Sequence, residues 1–198
     1  VPVTGAGESR RGHYNITDPY LRFYYRFMTT HSSVAMGRSQ QALDEISQEL
    51  PAFIERYTWR ELCQQWLLEA SNQGLLGGSL DRVGAAWTNK FFIDVVGISQ
   101  RARRLVLGTC HWTSAPIGVE ALRALIKNAD DVTPKRGEWT VEFIGFSLHG
   151  WSDGAKELAA AITADGESRK NWRSNSCRLL TLEDVYADLK KWFPLGEG

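Results

Sequence analysis

Phe91-Phe92-Ile93-Asp94-Val95-Val96-Gly97-Ile98 and Leu105-Val106-Leu107-Gly108-Thr109-Cys110-His111-Trp112 are two strongly β-rich runs separated by a short polar turn, Ser99 to Arg104. Two such runs across a short turn predict an antiparallel hairpin. Ala85 to Thr88 is a weaker strand ahead of it. Upstream, Trp59, Leu62, Cys63, Trp66 and Leu67 recur at helical spacing within Phe53 to Ala70, which predicts a long amphipathic helix with one core-facing stripe. Before it, Gln40 to Leu50 reads as a polar helix ended by Pro51. Downstream come a helix over Ile117 to Asn128, a strand over Trp139 to Ser147 and an alanine-rich helix over Asp153 to Thr163. A short strand over Ser176 to Leu180 follows. Thr181 then caps a last helix to Trp192, with Glu183 and Asp184 favouring its first turn. The order helix, hairpin, helix, strand, helix, strand, helix predicts an α/β fold: a mixed central β-sheet flanked by helices.

The N-terminal part differs in texture. Val1 to Arg11 is rich in Gly, Ser and Arg and reads as loop, and His13 to Ile16 as a short strand. Asp18-Pro19 starts a helix through Met28, aromatic on one face with arginines between. Thr29 to Arg38 is a polar connection and a candidate hinge. Residues 1–38 are therefore expected to be a connecting segment, and 39–198 the domain proper.

The 198 residues, 43% hydrophobic, suit one domain with a normal core. Lys+Arg and Asp+Glu are 23 each, so no global field draws the chain to nucleic acid or to an anionic membrane. Cys63, Cys110 and Cys177 are far apart and show no zinc-ligand spacing, and reduced thiols in a cytoplasmic protein are the simple reading. No apolar run approaches membrane-spanning length, and without a secretory signal the Asn15-Ile16-Thr17 acceptor match is accidental. No GxxxxGK[ST] loop is present, so this chain alone is not expected to hydrolyse ATP. The start at Val1 rather than Met points to upstream sequence.

Asp94 stands out chemically, as a carboxylate in a strand that should be mostly buried. Burial is costly unless the acid is paired, hydrogen-bonded or metal-bound. The plain reading is an Asp bonded to a neighbouring loop. The functional reading is a metal nuclease, which places one Asp on one strand of a hairpin, with an acid and a Lys two residues apart on the next. The matching positions here are Thr109 and His111: the spacing is right and the chemistry is altered. Glu61 or Glu55 on the long helix would have to add a carboxylate, or else each is a solvated helix-face residue. Arg101, Arg103 and Arg104 cluster at the hairpin turn, either as phosphate contacts or as a solvated tip. His149 has no nucleophile motif beside it.

The residues also carry a family resemblance. Arg11-Gly12-His13-Tyr14-Asn15-Ile16-Thr17-Asp18-Pro19-Tyr20-Leu21-Arg22-Phe23-Tyr24-Tyr25-Arg26-Phe27 resembles the Y-x-I-x-D-P-x-L-R-F-x-x-R-F signature of archaeal and bacterial DExx-box ATPases, ahead of their C-terminal DUF234 module. Trp59-Arg60-Glu61-Leu62-Cys63 is similar to the family's F-E-x-[IL]-C, with Arg60 at the acid position. Trp87 with Ile93-Asp94-Val95-Val96, Gly108-Thr109-Cys110-His111-Trp112 for G-E-C-K-W, and Phe146-Ser147-Leu148-His149-Gly150-Trp151 for F-S-x-x-G-F complete the match.

The resemblance implies a restriction-endonuclease-like, PD-(D/E)xK fold, with a winged helix and a P-loop ATPase domain upstream. Only Asp94 carries over as an intact site residue and as the metal ligand. Thr109 and His111 carry over as positions, and Glu61 as a shifted substitute. The leading expectation is a catalytically degenerate nuclease-like module that binds nucleic acid or a partner for its ATPase. The alternatives are a metal-dependent DNA endonuclease with a non-standard site, using Mg²⁺ if active, and an oligomerisation or docking module built on the aromatic N-terminal segment. The partners expected are DNA, the upstream ATPase domain and a second copy of the chain, with no membrane.

Overall fold

The computed structural model describes Ile16, residues 18–31, Ser33 and residues 36–194; most of the expected strand at His13 to Ile16 lies outside them. Helix α1 (Pro19–Phe23) begins as its sequence dictates: the Asp18 carboxylate accepts from the Leu21 N–H and proline fills the first turn. It runs on as a π-helical stretch, Tyr24–Met28.

Helix α2 (Ser39–Phe53), a second π stretch (Ile54–Trp59) and α3 (Arg60–Asn72) then form one continuous rod. Pro51 was expected to end a helix and instead lies inside α2. The helix continues through it: the Ile54 N–H reaches the carbonyls of both Leu50 and Pro51, and the π turns begin there.

The strands are β1 (Arg82–Trp87), β2 (Phe92–Ser99), β3 (Arg104–His111), β4 (Trp139–Ser147), β5 (Glu167–Ser168), β6 (Trp172–Ser174) and β7 (Cys177–Thr181). Helices α4 (Val119–Val132), α5 (Asp153–Asp165) and α6 (Leu182–Trp192) complete the fold. Strands β1, β2 and β3 form an antiparallel meander. After α4 the chain returns in β4 parallel to β3, and after α5 in β6 and β7, both parallel to β4. This is the expected mixed α/β sheet flanked by helices. Strands β5 and β6 escaped the sequence reading because two or three residues are too few to show alternation.

Alternation along β3 and β4 sends side chains to two cores. Leu105, Leu107, Val141 and Phe143 pack with α4 and α5 on one face. Val106, Cys110, Ile144 and Phe146 pack with α3 and α6 on the other. Gly145 admits Trp151 to the first face: a Cβ there would lie 2.3 Å from the indole. Thr181 and Asp184 close a reciprocal capping box on α6, as the sequence led one to expect.

The N-terminal segment docks on the helical rod. Phe27 is fully buried against Phe53, with ring centroids 5.1 Å apart. Arg26 pairs with Glu49, and Arg22 with Glu61.

Candidate functional site

The site begins with an irregularity in β2. Gly84 pairs with Val96 and Ala86 with Ile93, so β2 uses one residue more than β1 between these points. This is a β-bulge at Asp94 and Val95, and it sends Ile93 and Val96 to one core and Val95 to the other. Regular pairing of β2 with β3 runs from Ser99 and Arg104 to Val95 and Gly108. Beyond it, side chains complete the ladder. The Cys110 N–H donates to Asp94 Oδ2 at 3.1 Å, and Gln64 Nε2 donates to the Asp94 carbonyl at 2.7 Å.

Arg60 Nε donates to Asp94 Oδ1 at 2.8 Å, and the guanidinium lies over the Phe92 ring, 4.5 Å from its centroid. Both oxygens of the intact site carboxylate are therefore held by protein donors, one of them a permanent cation. Glu61 is also committed: Arg22, 6% exposed, grips it with both terminal nitrogens at 2.9–3.1 Å. Glu55 accepts from the Trp112 N–H at 3.3 Å.

Thr109 and His111 share a face as strand alternation requires, with Thr109 Oγ1 3.0 Å from His111 Nε2. Burial lowers the His111 pKa, and the nearby Asp94 and Glu55 oppose that shift without reversing it. His111 is thus neutral at pH 7 and no substitute for a lysine. Its imidazole should titrate below the ordinary value of 6.5 in a proton NMR titration. Replacing Asp94 with Asn should lower it further, by removing a charge that favours the imidazolium. The unfolded chain binds this proton more readily, so the His111 contribution to stability falls as pH drops through about 6.5. An unchanged or raised titration midpoint in the Asn variant would contradict this geometry.

These residues do not fit the divalent metal that a nuclease reading implies. Asp94 has no free oxygen, Thr109 is neutral, and the acid position that the resemblance assigned to a carboxylate is Arg60. Among the described residues no three acid, histidine or cysteine side chains converge as a metal cage.

The arginine cluster lies elsewhere. Arg101 and Arg103 stand at the hairpin turn, about five residues along β2 from Asp94, or roughly 16 Å. Arg104 is buried; its Nε donates to Glu142 at 2.6 Å and its Nη1 to the Gly78 carbonyl at 3.0 Å. The expected grouping is thereby corrected: Arg104 is a core ion pair, because β3 has already entered the sheet at that residue.

A cavity of about 680 Å³ opens where β2 and β3 diverge. Besides Asp94, His111, Glu55, Glu61 and Arg60, it is lined by Arg56, Gln64, Tyr57, Trp87 and Phe92. Sequence reading missed this second set. The four-residue spacing of Arg56, Arg60 and Gln64 was the available signal, since such residues share one side of a helix.

Fold and site together define an α/β domain with a mixed sheet whose bulged hairpin carries a single, largely buried carboxylate. The chain belongs to the DUF234 family, described as archaea bacterial proteins of unknown function, whose family model matches residues 22–125. An uncharacterized protein of Methanocaldococcus jannaschii is 20% identical over 112 residues, 57% of this chain and 25% of that protein. The chain thus spans about a quarter of the length of that curated relative. The crystal structure of a repair endonuclease from Pyrococcus abyssi is similar at a TM-score of 0.36 and 14% identity, over 62% of this chain and 46% of that one. No helix among the described residues is long and apolar enough to cross a membrane.

Proposed function

We propose that this chain is a nuclease-like module that binds and does not cleave, working as one part of a longer, cytoplasmic ATPase. The observation that carries the reading is Arg60 on Asp94: a guanidinium supplies the charge that a catalytic metal would otherwise supply, and it cannot activate water. The Thr109–His111 pair and the captured Glu61 support it, because the pair carries no carboxylate and Glu61 already faces the permanent cation of Arg22. The link to an upstream ATPase rests on the motif resemblance.

Calorimetric titration with Mg²⁺ and Mn²⁺ should give no heat that depends on Asp94, and plasmid and single-stranded DNA should stay intact with either ion. Metal-dependent cleavage abolished by Asp94→Ala would overturn the proposal and restore the endonuclease alternative.

A further inference from the structure

We infer that the cavity beside Arg60 is a receptor for a nucleoside phosphate, free or at the end of a single strand, held by guanidinium groups against an aromatic wall. This rests on the reading of the module as one that binds, and it names the ligand chemistry.

Of the three carboxylates in the cavity, Glu61 is held by Arg22 and Asp94 by Arg60 and the Cys110 N–H, while Glu55 accepts only from the Trp112 N–H at 3.3 Å through one oxygen. Two cations in the cavity have donors to spare. Arg60 uses Nε alone among the described residues, which leaves both terminal nitrogens free. Arg56 is exposed and lies on the Tyr57 ring at 5.5 Å, with no carboxylate partner among the described residues. The charged donors left unspent in the cavity are therefore those of two guanidiniums. Their planar forks suit the oxygens of a phosphate, and their charge does not depend on pH.

The second half of the site is aromatic. Trp87 and Phe92 are nearly parallel, 14° between planes and 6.3 Å between centroids. Phe92 is 45% exposed although it lies on a sheet strand, so part of this aromatic pair is open at the cavity wall beside the Arg60 guanidinium that lies over its ring. A planar base can stack there in a sequence-tolerant way. At about 680 Å³ the cavity falls within the range of small-ligand sites, roughly 300–1,000 Å³. A bare anion would leave the aromatic wall unused, and a neutral ring would leave the guanidiniums unused. A nucleoside phosphate uses both.

The test is binding in EDTA, where no metal-dependent chemistry can contribute. The probes are a nucleoside 5′-monophosphate, a short 5′-phosphorylated single strand, the same strand without its phosphate, and inorganic phosphate. Tryptophan fluorescence or anisotropy of a labelled strand reads the binding. The phosphorylated strand or the mononucleotide should bind about tenfold or more tightly than inorganic phosphate and the dephosphorylated strand. Preference for the strand would assign a strand terminus, and equal binding a free nucleotide; both support the inference.

Arg56→Gln and Phe92→Ala are changes at exposed positions whose folding can be checked by circular dichroism. Each should weaken binding by about fivefold or more. No binding by the wild type, or binding insensitive to both variants, overturns the inference and leaves the absence of cleavage standing. Metal-dependent cleavage would overturn the functional reading whatever the outcome in EDTA.

Discussion

Replacing Trp66 with alanine is expected to destabilise the protein by about 3–5 kcal/mol, the range for truncating a buried large aromatic side chain. Trp66 is 2% exposed and stands at the junction of α3, the sheet and α6. Its ring meets Phe146 edge-on at 5.5 Å and Trp192 at 5.9 Å, and its Nε1 donates to Asp188 at 2.9 Å. Truncation would empty the centre of one core layer and leave a carboxylate on α6 without its donor. Domains of this size have total stabilities of about 5–15 kcal/mol, so much of the margin would go. Trp66→Phe separates the two contributions: it keeps most of the packing and removes the hydrogen bond, which contributes about 1.5–3 kcal/mol when its acceptor is charged. Urea unfolding followed by far-ultraviolet circular dichroism measures both. An alanine variant costing under about 1.5 kcal/mol would show that α6 does not depend on this contact.

Removing Arg60 should have the second-largest effect. Asp94 is 16% exposed and Arg60 25%, so the pair is largely buried. Deleting one partner of a fully buried pair costs about 3–5 kcal/mol, because the other charge is left without compensation. With partial exposure, Arg60→Ala should cost about 2–3 kcal/mol. The double change Arg60→Gln with Asp94→Asn should recover much of that loss, since the neutral pair needs no counter-charge. Calorimetry on Arg60→Ala is equally informative. If a divalent ion binds that variant and not the wild type, the guanidinium is what excludes metal from Asp94. If the double variant is as unstable as Arg60→Ala, the loss comes from packing against Phe92 and not from charge.

Much of the fold was legible in order and type. The hairpin, β4, the amphipathic stripe through Trp66 and the Thr181 cap all come from local pattern, which needs no knowledge of neighbours. What failed locally failed for a nameable reason. Pro51 reads as a stop because sequence shows the missing N–H and cannot show that the helix continues through it. Arg104 reads as part of an exposed cluster because its partner Glu142 lies 38 residues away on a parallel strand.

The candidate site was half legible. Asp94, Thr109, His111 and Glu61 were each identifiable as positions, and the charge change at Arg60 could be read directly. By itself the sequence determined the α/β class and the absence of an acid and a lysine on β3, because residue type and alternation are properties of the chain. Only the tertiary structure decided that Arg60 lies on Asp94, that Arg22 captures Glu61 from 39 residues away, and that Arg56, Trp87 and Phe92 share one cavity. Those are contacts between separate elements, set by one extra residue in β2 and the packing of the helical rod against the sheet, and no spacing along the chain encodes them.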